Sequence, residues 1–409
     1  MDKERPVPPP RHDLEIIPTS YGGRHALLVR DHLGIIQDPV LLQGELIDLL
    51  GLLDGRRTLR DLQLEFIRRR GGLIVDSSKL ERLVRQLDAA GLLDSPAHEA
   101  RKKKMLSEYQ KLEVREPSHA GISYPAEPGR LRTYLDSILQ ETGESGPPCA
   151  SGEVRALVAP HIDLETGKRI YAAAYRVLRG RKPRRVVLLG TGHSLEDGVF
   201  GLTGKDFVTP LGRVVTDRDV VGRLRRAGNG CLSPSDFAHR REHSLEFELI
   251  FLQHVLGSAF SIVPILCGSL AQDLGRVSRP AELPGVARVL SELRSLWEED
   301  PPGTIFVAGV DLSHIGPKFG HRERAEALLL EARAHDRALL RAFADGDVKA
   351  FWAESRRVRD RYNVCGLSAL AFLLEIFQGT TGSVLGYDFW MEESTQSGVS
   401  FAAAALHAR

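Results

Sequence analysis

Residues 154–161 read VRALVAPH, residues 186–193 read VVLLGTGH, and residues 305–314 read IFVAGVDLSH. Each is a short run of aliphatic residues broken by Pro, Gly or Asp, with a histidine just beyond. Runs of four to eight apolar residues without polar alternation predict strands buried on both faces, as in a parallel sheet. Ile262–Leu266 is a fourth such run. Between these strands the spacing of apolar residues predicts helices at Tyr171–Leu178, Leu245–Leu256, Ala325–Phe343 and Val364–Phe377. Val384–Gly386 and Val399–Ala405 are expected as edge strands. DFVTPLGRVV (206–215) is expected as a hairpin turning at Pro210–Gly212. This alternation defines an α/β fold with a mixed, largely parallel central sheet flanked by helices.

The carboxyl ends of parallel strands share one edge, and ligands bind just outside it. His161, His193, Asp311 and His314 are therefore expected to meet there, delivered by three separate strands. A further candidate pair comes from EHSLE (242–246). His243 and Glu246 are three residues apart at the start of a helix and face one way, as an acid/base pair or as support for a metal. Cys365 in NVCG (363–366) is expected at a helix N-terminus, where backbone N–H groups would stabilise its thiolate as a soft ligand or nucleophile.

The rest of the sequence bounds these readings. A chain of 409 residues predicts two domains, and a formal net charge of +1 gives no reason to expect nucleic acid or an anionic membrane as partner. No apolar run approaches the roughly 20 residues of a membrane span, and MDKERPVPPP lacks the apolar segment of a secretory signal. Cys149, Cys231, Cys267 and Cys365 form no CxxC pair, which argues against a disulfide framework and, with the foregoing, for a cytoplasmic protein. GTGH (190–193) lacks the spacing of a P-loop or dinucleotide fingerprint. No GxSxG or HExxH occurs, so hydrolase and zincin readings fall away.

Residues 1–12 are expected as a disordered, proline-rich lead. Residues 13–96 are expected as a small α+β winged-helix-like domain, 97–112 as a linker or polar helix, and 113–409 as the α/β domain. Within the small domain we expect a strand at His25–Val29 and a helix at Leu41–Leu53. A second helix follows from the capping box of Thr58 and Asp61 to about Arg70, and a third is capped by Ser78 with Glu81. Leu92–Leu93 is expected to start another strand.

Two resemblances follow. LVRDHLGII, LLGLLDGRRTLRDL and LDAAGLLD resemble the PqqD-like domains that hold peptides beside modifying enzymes, which implies a peptide or protein partner for residues 13–96. REPSHAGISYPAEPGRL (115–131), ALVAPHIDLETG, VVLLGTGHS, TPLG, EHSLEFEL, VPILCG, GVDLSH, NVCG and SGVSFAAAAL resemble, in order, the Memo family, including the AmmeMemoRadiSam system protein B members. That resemblance implies a fold similar to class III extradiol dioxygenases. It implies a pocket in which His161, His193 and Cys365 hold a transition metal, iron or copper ahead of zinc, with Asp311, His314, His243 and Glu246 around it. It also implies a radical S-adenosylmethionine protein and an Amme-type protein as partners. Where the family often shows PHAGY, this chain has PHIDL, and Asp163 adds a carboxylate. Three functions remain open: a metal-dependent oxidoreductase, a non-catalytic metal-binding or adaptor protein, and metal-free chemistry with Cys365 as nucleophile, His314 as base and Asp311 as orienter.

Overall fold

In the computed structural model, which describes residues 4–31, 33–72, 74–141 and 153–407, the chain divides into two compact units, 1–111 and 112–409. The large unit is built on the predicted strands: Val154–Ala159, Arg185–Thr191, Ser261–Cys267 and Thr304–Gly309. They are parallel neighbours in the order 154–159, 304–309, 185–191, 261–267. Their side chains alternate between two cores. Val187 and Leu189 point into one, with the helices Val286–Glu299 and Leu367–Ile376; Val186 and Leu188 point into the other, with Leu164–Arg176 and His243–Leu256. A sheet covered on both faces explains why these strands read as unbroken apolar runs.

Antiparallel strands complete the sheet on either side. Phe200–Leu202 pairs with 261–267. The Ser397–His407 strand pairs with 154–159 on one side, and along its length with Thr381–Glu392. His314–Ile315 also pairs with it. Sequence reading expected Val399–Ala405 at an edge, and this is corrected: every residue of Ser397–His407 is buried, because its small side chains let neighbours close in on both sides. The hairpin at 206–215 is present as Asp206–Thr209 and Gly212–Val214.

Two helix boundaries moved for identifiable reasons. The helix expected from Tyr171 begins at Leu164, because the Asp163 carboxylate accepts the N–H groups of Glu165 and Thr166. Asp163 is thus a helix cap. The helix expected from Val364 begins at Leu367, which leaves Cys365 in the preceding turn.

Among its described residues the small unit contains a three-stranded antiparallel sheet, Leu14–Tyr21, Arg24–Asp31 and Val40–Gln43, with four helices. Leu41–Leu53 is not one helix. Residues 40–43 pair with 26–29, and Gly44, at φ +54°, turns the chain into the short Glu45–Leu50 helix. Thr58 and Asp61 form the expected capping box of Leu59–Arg69. The third helix is capped by Asp76 and not by Ser78. Leu92–Leu93 makes only an isolated bridge, between Leu93 and Pro10. Within residues 4–12 Val7 is buried in the small core, and the Arg11 guanidinium is buried against Asp13, Asp31 and the carbonyl of Gly91. Residues expected as linker or polar helix form Pro96–Gln110. Among the described residues no helix is long and apolar enough to cross a membrane. Cys149 lies outside the described residues.

Candidate metal centre

Strands 154–159 and 185–191 end just before His161 and His193, and the two rings come together at 5.0 Å between centroids. A third ring joins them from the first turn of the His243–Leu256 helix: His243 stands 5.0 Å from His161 and 4.8 Å from His193. One nitrogen from each ring lies within 4.8 Å of the other two. His161 is buried, whereas the His193 and His243 side chains keep 29% and 30% of their surface, so the cluster is reachable from solvent.

The close approach of helix to sheet depends on two glycines at strand ends. A Cβ on Gly190 would stand 2.5 Å from the Ser244 hydroxyl, and one on Gly309 would stand 2.2 Å from the Ser244 carbonyl oxygen. Any larger residue at either place would lift the first helical turn, and His243 with it, off the strand ends.

Each ring is tied at Nδ1. His161 Nδ1 is 2.9 Å from the Gly309 carbonyl oxygen, which can only accept, so Nδ1 carries the proton. His193 Nδ1 is 2.9 Å from a carboxylate oxygen of Glu242, and His243 Nδ1 is 3.3 Å from the same oxygen. A carbonyl or carboxylate at Nδ1 is the arrangement that orients metal-binding imidazoles. Glu242 is fixed in turn by the backbone N–H groups of His193 and Ser244, and its interactions with His193 help hold its carboxyl ionised despite burial. Burial pushes the His161 imidazole down to about 3, so it stays neutral and able to donate a lone pair.

Cys365 reaches the cluster through His161: Sγ lies 3.5 Å from His161 Nε2. Sγ accepts the N–H of Asp311 and donates to the Asp311 carbonyl, both at 3.3 Å. The expectation of a thiolate stabilised by a helix N-terminus is corrected. The helix starts two residues later, and burial together with the Asp311 charge pushes the thiol well above its ordinary range. The turn before it is tightly specified, with Arg359, Asp360 and Asn363 all at positive φ. The Asn363 amide donates to the carbonyls of His314 and Phe319.

Asp311 accepts the backbone N–H of His161 at 3.1 Å, and its other oxygen is 3.7 Å from His161 Nε2. Burial raises its carboxyl to about 6, so it exchanges a proton near neutral pH. His314 is held outside the three-ring group, with Nδ1 at the Leu312 carbonyl and its ring edge-on to Phe319. Burial lowers it to about 4.

Glu246 is placed apart from the imidazoles. It lies beneath the 115–124 segment, where it pairs with the Arg115 guanidinium, accepts the hydroxyls of Tyr124 and Ser118, and accepts the N–H of His119. Its work is to hold that segment, which brings a fourth ring, His119, to 5.6 Å from His243. Sequence reasoning did not single out His119 or the orienting role of Glu242. The only available signal for Glu242 was its place two residues before a buried Ser244, where a carboxylate caps a helix.

A family model described as Memo-like protein matches residues 115–405. A MEMO1 family protein of Aquifex aeolicus is 28% identical over 390 residues, covering 95% of this chain and 97% of its own length. A MEMO1 family protein of Thermus thermophilus is 30% identical, covering 84% of this chain and 97% of its own. One from Aeropyrum pernix is 32% identical, covering 68% and 92%. The Aquifex alignment extends through most of the small unit as well as the large one.

Proposed function

The chain belongs to the Memo-like protein family, and from that premise we propose that its large unit is a metal-dependent oxidoreductase centre. His161, His193 and His243 would hold one transition metal, with the Cys365 sulfur beside His161 as a further soft donor. The observation that carries this reading is the set of three imidazoles that each bring a ring nitrogen within 4.8 Å of the other two, with His161 oriented by the Gly309 carbonyl and His193 and His243 facing Glu242. Neutral imidazoles with a thiol suit iron, copper or zinc and not magnesium or calcium, and we favour iron or copper. Bound there, such a metal would supply an electrophilic, redox-active point with room for substrate.

The chain's own residues supply the remainder. The Asp311 carboxyl holds or releases a proton 3.7 Å from His161 Nε2. His314, kept neutral by burial, serves as the second acid/base group. The raised thiol of Cys365 argues against the metal-free nucleophile. We take the substrate to be a small molecule or a peptide, with the small unit as its holder and radical S-adenosylmethionine and Amme-type proteins as partners, as the family resemblance implies. The described cysteines are free, which fits a reducing compartment such as the cytosol.

The test is metal analysis of untagged protein purified without chelators. One equivalent of iron or copper is expected, lost in His161→Ala and weakened in Cys365→Ser. Dioxygen consumption by the loaded protein with reductant then separates an oxidoreductase from a metal-binding protein without turnover. Absence of metal in the wild type would end the proposal.

A further inference from the structure

Outside the centre just described, one more group of side chains gathers metal-type donors. A ring nitrogen of His98 and carboxylate oxygens of Asp94 and Glu99 lie within 4.8 Å of one another. All three sit at the start of the Pro96–Gln110 helix in the small unit. Ser95 caps that helix by accepting the His98 N–H, which fixes the turn carrying His98 and Glu99, and the Asp94 N–H is tied to the Pro9 carbonyl. The backbone of the cluster is therefore set, and only side-chain rotation remains.

The acidic residues alone would need no ligand, because carboxylates at a helix N-terminus complement the helix dipole. That account does not reach His98. Its side chain is buried at 4% exposure, and its Nδ1 has no hydrogen-bond partner. A buried polar nitrogen left unpaired is costly and rare in a folded protein. The two carboxylates beside it are exposed, with no ion pair or side-chain hydrogen bond among the described residues. The nearest buried cation, Arg11, already has its charge offset by Asp13 and Asp31. Among the described residues no hydrogen-bond partner meets His98 Nδ1 and no ion pair engages the Asp94 or Glu99 carboxylate.

We propose that Asp94, His98 and Glu99 form a second metal site, binding a divalent transition cation through one imidazole and two carboxylates. Nitrogen and carboxylate donors close to about 2.0–2.2 Å around such an ion. Here the exposed carboxylates rotate inward on the fixed His98. The remaining coordination positions are left to water. The site is independent of the imidazole centre of the large unit.

The experiment is calorimetric titration of the metal-stripped full chain with Zn2+. Wild type is expected to take two equivalents. Glu99→Gln and Asp94→Asn change exposed side chains only, and each is expected to weaken one of the two more than about tenfold. His161→Ala should retain one equivalent, and the double variant His161→Ala with Glu99→Gln should retain none. The proposal is overturned if His161→Ala takes up no zinc. It is equally overturned if the zinc held by His161→Ala is indifferent to Glu99→Gln and Asp94→Asn. Failure of the large-unit centre reads differently: wild type would then bind a single equivalent, unchanged by His161→Ala and lost in Glu99→Gln.

Discussion

At the strand ends of the large unit every imidazole is tethered on one side before any ligand arrives: His161 to a carbonyl, His193 and His243 to Glu242. At the start of the Pro96–Gln110 helix the backbone is capped as carefully, yet the buried His98 Nδ1 has no tether and its two carboxylates stand in solvent. The difference is one of preorganisation. In the first region the protein has already met the cost of ordering the donors, and it has done so with residues that themselves need support. In the second, any ligand must order the carboxylates itself. The first should therefore bind more tightly and be more easily broken from a distance.

The largest effect is expected where support is deepest. Glu246→Ala leaves the buried Arg115 guanidinium without its partner and removes the acceptor of Tyr124, Ser118 and His119. It should cost about 3–5 kcal/mol in urea unfolding. A loss below about 1 kcal/mol would mean that the 115–124 segment is held by something else. Next comes His161→Ala, which should weaken metal binding at the strand ends by more than about a hundredfold, beyond what loss of an orienting partner costs. Retained affinity would break the comparison outright. Glu242→Gln keeps the size of the tether and weakens it, and about 10- to 100-fold in affinity should go with it. If it goes no further than Glu99→Gln does in the small unit, tethering is not what separates the two regions.

A further expected effect is on pH. His161 and His239 are buried, with imidazoles lowered to about 3 and about 4 by burial. In both folded and unfolded chains they are neutral above about pH 6.5, where they leave stability unaffected. As pH falls below that value the unfolded chain binds protons that the fold refuses, until the folded groups titrate at about 3–4. Metal-stripped protein should thus lose up to about 1.4 kcal/mol per pH unit for each group between these limits. Urea midpoints at pH 7 and pH 5 that coincide would refute this.

The four parallel strands were legible in the sequence because burial on both faces leaves apolar runs with no competing pattern. The meeting of His161 and His193 was legible because strand direction alone sets which edge they share, whereas His314, expected with them, stays outside the group. What was not legible depended on side-chain direction across elements. His243 and Glu246 share one helix, yet one meets the imidazoles and the other the 115–124 segment. Nothing local in EHSLE separates those fates. Glu242 caps its helix, and only the arrival of His193 from a strand some fifty residues earlier in the chain gives the carboxylate a second task. The Leu41–Leu53 run failed for a related reason: its leucines satisfy a helical period, but pairing with a preceding strand prevailed over 40–43.

One last feature bears on the order of assembly. The Ser397–His407 strand is inserted between the hairpin strand 381–392 and the parallel core, and Ser400 binds the backbone of both Leu312 and Ser313. This strand follows the other described strands of its sheet in the chain, so during synthesis it can dock only after they have emerged. Until then the flank of Val154–Ala159 has no partner and the turn bearing Asp311 is not clamped. The Asp311 turn is accordingly completed late in folding, and a nascent chain stalled upstream would offer a sticky strand edge that the folded protein covers.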